Sequence, residues 1–201
     1  MGKWFPRIYD IAMRPIERSG FKKIRTKLGK EANGRVLEVG SGTGINFPYY
    51  RNAIRVDAIE PNSIMREKSL RRLERARVPI QLSNARAESL PFADDTFDTV
   101  LATLVFCTIP NPVKAIQEIE RVSKPGAKVL FFEHVRVEQP FLRKTQDLLT
   151  PLWKKLCDGC HLNRDTLALL KQSNLEVTEV KYYYNQIFVV VKSFNNKSNK
   201  L

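Results

Sequence analysis

Residues 36–44 read Val-Leu-Glu-Val-Gly-Ser-Gly-Thr-Gly, an apolar run that stops abruptly in alternating glycines. This is the pattern of a strand ending in a tight turn ahead of a helix. Gly40, Gly42 and Gly44 let the backbone take positive φ and approach a ligand closely. Sixteen residues beyond Gly44, a second strand-like run, Arg55-Val-Asp-Ala-Ile-Glu60, ends in another acid. An acid at the tip of a second strand is placed to take both hydroxyls of a ribose. The two signals together imply a nucleoside site at the carboxyl edge of a parallel sheet.

The spacing narrows the ligand. Dinucleotide folds use G-x-G-x-x-G to set a helix N-terminus against a pyrophosphate. Here the pattern is G-x-G-x-G, and Ile45 follows it. A P-loop is excluded because no Gly-Lys-Ser/Thr follows. Glu38, inside the apolar run, would repel a pyrophosphate but suits an ammonium or a sulfonium.

Helix and strand patterns alternate along the chain, which implies a parallel sheet. A basic amphipathic helix is expected over ~7–30, with Ile8, Ile11, Ala12, Ile16, Phe21, Ile24 and Leu28 as its apolar positions. Strands are expected at Arg35–Val39, Arg55–Glu60, Pro79–Ser83, Phe97–Ala102 and Ala127–Glu133. Helices are expected at ~63–77, capped by Asn62 or Ser63, and at Pro112–Ser123, stopped by Lys124-Pro125-Gly126. An apolar stripe from Phe141 to Leu156 marks a further helix that Pro151 should kink. A helix at ~164–173 then precedes an antiparallel hairpin, Leu175–Tyr184 and Gln186–Phe194. The expected organisation is one domain, 1–194, with a basic helical cap (1–34), a helical lid (136–173) and a disordered tail (195–201).

Composition excludes several classes. The chain has 201 residues, enough for one α/β domain with a full core. No apolar run approaches the ~18 residues needed to cross a bilayer. The N-terminus lacks the apolar core of a signal peptide, and Pro6 breaks the myristoylation pattern. A cytoplasmic protein is expected, with room for peripheral contact with an anionic membrane. Net charge is +13, and residues 1–35 hold ten basic side chains against three acids. Such an end attracts anionic lipid or nucleic acid, or is a solvated helix face. No zinc-finger or RNA-recognition spacing is present, so nucleic acid is the minority reading. Cys107, Cys157 and Cys160 make no disulfide framework, and a lone C-x-x-C at Cys157–Cys160 falls short of a four-ligand zinc site, so no metal is expected.

The E-x-G-x-G-x-G run at Glu38–Gly44 resembles motif I of the class I S-adenosylmethionine-dependent methyltransferases. That resemblance implies a doubly wound, mostly parallel seven-stranded α/β sheet of order 3-2-1-4-5-7-6, with S-adenosylmethionine as methyl donor. Residues 85–98, Ala-Arg-Ala-Glu-Ser-Leu-Pro-Phe-Ala-Asp-Asp-Thr-Phe-Asp, look like a stretch found near the quinone C-methyltransferases. In that stretch the leading Asp holds the adenine amino group; here Arg86 takes its place, so Ala87 or Glu88 must supply the acceptor or Arg86 must stack on the ring. Asp94 and Asp98 read as turn and strand-entry residues, Asp98 at the buried start of its strand.

Thr103-Leu-Val-Phe-Cys-Thr108, Glu133-His134-Val135 and Asp158-Gly-Cys-His-Leu-Asn-Arg164 are similar to segments of animal thiol S-methyltransferases and bacterial phospholipid methyltransferases. The animal proteins begin with a hydrophobic anchor, and none is expected here.

The expected cofactor residues follow from strand tips and motifs. Glu38, Gly40, Ser41, Gly42 and Gly44 would line the methionine part, Glu60 the ribose, Pro61 and Asn62 the adenine, and Thr103 and Leu104 the methyl group. Tyr9 would close over the donor or pack on the first helix. His134, at the tip of strand five, is the candidate general base, since histidine titrates near ~6.5. Glu133 and Asp158 complete the catalytic candidates, with an Asp158–Arg164 ion pair as the structural alternative, and Cys160 reads as a small buried hydrophobe. The expected acceptor is small or lipid-like, a thiol or amine before a carbon. An RNA methyltransferase and a non-catalytic S-adenosylmethionine-binding protein are the alternatives.

Overall fold

A computed structural model describes residues 4–197. Seven strands form one sheet: β1 (Asn33–Val39), β2 (Asn52–Ile59), β3 (Ile80–Ser83), β4 (Phe97–Thr103), β5 (Ser123–His134), β6 (Leu175–Tyr183) and β7 (Phe188–Asn195). Their order is β3-β2-β1-β4-β5-β7-β6, with β1 to β5 parallel and β7 antiparallel to both its neighbours. The order reverses between β1 and β4, the position where open α/β sheets bind ligands beyond their carboxyl ends.

The helices are α1 (Phe5–Ile16), α2 (Lys22–Glu31), α3 (Ser63–Leu73), α4 (Pro112–Val122), α5 (Pro140–Leu156) and α6 (Thr166–Lys171). Alternate side chains along a strand face opposite sides, and β5 shows the result. Val129 and Phe131 enter one core with Ile116, Ile119 and Leu170 from α4 and α6. Leu130 and Phe132 enter the other with Phe21, Ile24 and Leu28 beside and on α2, and with Phe47 and Tyr50.

Several boundaries differ from the sequence expectation for physical reasons. The first helix is two helices, because Gly20, at φ 145°, leaves helical space inside a π-turn over Glu17–Phe21. Ile11 on α1 stays exposed while Ile24 and Leu28 on α2 are buried. The segment after the glycine turn forms only a 3₁₀ turn, Phe47–Tyr49. Lys124-Pro125-Gly126 does not separate a helix from a strand. β5 starts at Ser123, pairs with Phe97, bulges through the left-handed Gly126 and resumes at Lys128 opposite Thr99. α5 runs unbroken through Pro151, on a helix whose sole buried residue is Thr150.

Within the segment expected as a lid, α6 packs on the core: Leu170 is fully buried, and Asp165 caps the helix by accepting from the Ala168 amide. The start of the expected disordered tail, residues 195–197, is instead held by the fold. Asn195 ends β7, buried, and donates to the carbonyls of Glu120 and Ser123. Lys197 reaches the carbonyls of Glu120 and Arg121. Residues 198–201 lie outside the described residues. Asp98 is about a third exposed rather than buried, accepting from the Arg35 amide and from Lys124. Asp94 pairs with Arg121.

Candidate active site

A cavity of about 630 Å³ opens at the carboxyl edge of the sheet, beyond the tips of β1, β2, β4 and β5. At one end the glycine turn is stitched to β2. The Ser41 amide donates to the Ile59 carbonyl at 2.9 Å. Glu60 then bridges the two tips, its carboxylate accepting from the Gly42 amide (3.0 Å) and the Asn62 amide (2.8 Å). Burial raises the Glu60 carboxyl above its ordinary value, against those two hydrogen bonds. Asn62 is the N-cap of α3, its side-chain oxygen accepting from Ile64 and Met65. The chain therefore presents a fixed carboxylate beside a left-handed glycine. A Cβ added to Gly42 would meet nothing within 4 Å, so it would project into open space.

The other two glycines serve packing. A Cβ on Gly40 would collide with Val105, and one on Gly44 with the Phe47 ring and Ser69. Gly40 still lines the cavity and Gly44 does not.

Glu38 is likewise behind the wall. It is 1% exposed, and its oxygens accept from the Tyr50 hydroxyl (2.8 Å) and the Asn46 side-chain amide (2.9 Å). Burial pushes its carboxyl up to about 7 against these bonds. What reaches the cavity from Glu38 is its partner Asn46, whose side chain also donates to Thr103 at 2.9 Å. Arg25, from α2, completes the network: its guanidinium donates to Asn46 (3.0 Å), to Thr103 (2.8 Å) and to Glu17 (2.8 Å). Arg25 is 3% exposed and lines the cavity, a buried cation at the β1–β4 switch point.

At the far end, β4 turns sharply. Leu104, at φ 53°, is a non-glycine residue in left-handed space, a strained geometry that recurs at functional sites. Glu133 holds the following loop, accepting from the Val105 and Phe106 amides at 3.0 and 3.2 Å. Its other oxygen is buried without a hydrogen-bond partner among the described residues, and burial pushes the carboxyl up to about 7. Glu133 is therefore off the cavity and positions the loop that carries Cys107. His134, next along β5, lies on the cavity with Nε2 3.2 Å from Cys160 Sγ. Hydrogen bonds from Cys107 and then His134 hold the Cys160 thiol below the ordinary range, against burial. Cys107 moves the other way, raised by the same bond and by burial. Burial opposes protonation of His134, yet the bond to Cys160 keeps the imidazole above its ordinary value.

Asp158 and Arg164 do not meet as a pair. Arg164 donates to the carbonyls of Phe106 and Ile109, clamping the loop before α6 onto the β4–α4 loop. Asp158 instead faces Asn62 at 3.5 Å, beside Glu60 and two residues before Cys160.

Of the residues picked from sequence, Tyr9, Gly40, Ser41, Gly42, Glu60, Pro61, Asn62, Arg86, Ala87, Glu88, Thr103, Leu104, His134 and Asp158 line one cavity, while Glu38, Gly44 and Glu133 stand behind it. Tyr9 reaches it from α1, and burial raises its hydroxyl to about 12, so the ring is neutral there. Its neighbour Asp10 accepts from Thr43 (2.7 Å) and Arg72 (3.1 Å), tying α1 to the glycine turn and α3. Arg86, 60% exposed by side chain, leans toward Glu88. Sequence reasoning missed Arg25, Asn46 and Cys107.

The lining fits a nucleoside that carries both an ammonium-carboxylate group and a sulfonium. Among the described residues Ser41 Oγ is buried without a hydrogen-bond partner, Glu60 lines the cavity, and a Cβ on Gly42 would meet no atom within 4 Å.

Comparison with known proteins agrees. The family model for a methyltransferase domain matches residues 37–131. The chain is 33% identical over 175 residues to thiol S-methyltransferase TMT1B of Rattus norvegicus, covering 85% of this chain and 71% of that one. It is 31% identical over 174 residues to a phosphatidylethanolamine N-methyltransferase of Cereibacter sphaeroides, covering 86% and 84%. Among solved structures, a possible histamine N-methyltransferase of Thermotoga maritima superposes with a TM-score of 0.68 at 20% identity, over 95% of this chain and 97% of that one.

Proposed function

The chain belongs to the class I S-adenosylmethionine-dependent methyltransferases, and from that premise we propose that its acceptor is an apolar thiol drawn from a membrane surface. It is an enzyme that uses S-adenosylmethionine and leaves S-adenosylhomocysteine. When bound, the donor supplies a methyl group already activated by its sulfonium. The protein's task is alignment and exclusion of water.

In this reading Glu60 takes the ribose hydroxyls with its remaining lone pairs, and Pro61, Asn62, Ala87 and Glu88 flank the adenine. Arg25 faces the donor's carboxylate, and Asn46, held by Glu38, faces its ammonium. Thr103 and Leu104 sit beneath the methyl group, and Tyr9 closes over it from α1.

The observation that carries the acceptor is the far end of the same cavity. Cys107, His134 and Cys160 converge there, surrounded by Phe5, Met13, Trp153, Leu162 and Phe188. A soft, polarisable cluster in an apolar sleeve suits a hydrophobic thiol and can take its proton. Two relatives named for thiol and phospholipid methylation support an acceptor of this character. The test is a panel with methyl-labelled donor: aryl and alkyl thiols against phosphatidylethanolamine vesicles. The reading expects S-methyl products; label appearing only in lipid amine would refute it.

Two amphipathic helices that border the cavity support the membrane part of this reading. α1 exposes Ile11, and α5 exposes Phe141, Leu148 and Leu152, with Leu148 80% accessible. Arg14, Arg143, Lys144, Lys154 and Lys155 accompany these residues. Apolar side chains flanked by cations form an interfacial surface. Among the described residues no helix is long and apolar enough to cross a membrane. An acceptor dissolved in the bilayer would enter between α1 and α5.

A further inference from the structure

Cys107, His134 and Cys160 come from three separate elements: the β4–α4 loop, the end of β5 and the loop after α5. Their sulfur and nitrogen ligand atoms all lie within 4.8 Å of one another. Nothing in the packing of a sheet edge requires two thiols and an imidazole to meet. The meeting is held from outside: Glu133 fixes the Cys107 loop, and the His161 amide donates to the Cys107 carbonyl at 2.9 Å. Arg164 clamps the same two loops together through the Phe106 carbonyl. Cys157, the other half of the C-x-x-C, stays outside the group.

We propose that these three residues form a binding site for a zinc-class divalent ion, with the fourth coordination position open to the cavity. Zinc favours thiolate and imidazole in tetrahedral array, and metal–ligand bonds of about 2.0–2.3 Å imply ligand–ligand edges of roughly 3.3–3.8 Å. His134 Nε2 and Cys160 Sγ already stand 3.2 Å apart and the widest separation in the set is at most 4.8 Å, so side-chain movement of about an ångström closes it. All three residues line the cavity, so the open position faces the acceptor end. Three protein ligands and one free position is the arrangement of reactive zinc rather than structural zinc. A coordinated thiol loses its proton outright, so the acceptor's sulfur would be deprotonated by coordination, with His134 serving as a ligand. That last consequence rests on the thiol reading above; the metal site itself does not.

The test uses the full chain, reduced and stripped with chelator, with neither donor nor acceptor present. Zinc is measured by equilibrium dialysis, and cobalt(II) serves as the optical probe. The proposal expects one ion per chain and, with cobalt, thiolate-to-metal charge transfer with the strong visible bands of a four-coordinate ion. Cys157→Ser should leave the spectrum in place. Cys107→Ser and Cys160→Ser should each weaken binding at least tenfold while retaining affinity for S-adenosylhomocysteine, which reports an intact fold. A wild-type protein with no thiolate charge transfer overturns the proposal, as does binding that survives the Cys107→Ser/Cys160→Ser double variant. Should the single variants not fold, the wild-type and Cys157→Ser spectra still decide the matter. Because no methyl transfer is measured, the site can fail while the methyltransferase reading stands.

Discussion

Arg25 on α2 donates to Thr103 at the tip of β4 across 2.8 Å, a bond between residues 78 positions apart. It makes the basic N-terminal segment part of the cavity wall. A charge this buried persists only when paired, and Arg25 is paired with Glu17. Arg25→Ala would leave Glu17 without its partner and remove the cation that the proposal sets against the donor's carboxylate. The expected outcome is a loss of about 3 kcal/mol of stability and a tenfold or greater loss of S-adenosylmethionine affinity in calorimetry. Arg25→Lys should recover part of the stability and little of the affinity, because a point charge cannot reach Asn46, Thr103 and Glu17 together.

Gly42 separates folding from binding. A Cβ there meets no atom within 4 Å, and its φ of 56° costs about 1–2 kcal/mol for an ordinary residue. Gly42→Val should keep the circular dichroism spectrum and lose donor affinity at least tenfold. Gly44→Val should instead unfold or strongly destabilise the chain, since its Cβ would strike Phe47 and Ser69.

Glu38 makes stability depend on pH. Its folded value, about 7, lies above the ordinary 4.5. The folded state therefore binds this proton more tightly than the unfolded chain. The resulting stability is complete below about 4.5 and is lost as pH rises through about 7. Glu38→Gln removes the titration. Denaturant melts should show the variant gaining on wild type between pH 5 and 8, by on the order of 2 kcal/mol. A difference constant across that range would contradict the assignment.

The α1–α5 surface should bind anionic vesicles and release at high salt. Leu148→Glu with Phe141→Glu should weaken cosedimentation severalfold while leaving turnover of a water-soluble thiol near wild type, because both side chains are exposed and neither lines the cavity.

Much of this was legible in the sequence. Glycine spacing and the strand-tip acid Glu60 pointed to residues that line the cavity, the alternation of patterns implied a parallel sheet, and the strand order came from the resemblance to class I methyltransferases. Elements were missed where tertiary partners decide. Arg25 lies between Ile24 and Leu28 on the buried face of α2; a charge inside an apolar stripe was the available signal. Glu38 faces Tyr50, a residue in an irregular segment with no periodic signature. Cys107 joins Cys160 only once β4 and the loop after α5 meet above the sheet, so C-x-x-C spacing pointed to Cys157 instead. Asn195 reads as a polar tail but caps the groove between α4 and β5 with its side-chain amide.

The most direct test of the central claim is a crystal structure of the complex with S-adenosylhomocysteine and a hydrophobic thiol. The account predicts the ribose on Glu60, the homocysteine sulfur over Leu104, and the thiol sulfur between it and the Cys107–His134–Cys160 cluster. A ribose held elsewhere, or a thiol bound away from that cluster, would contradict it.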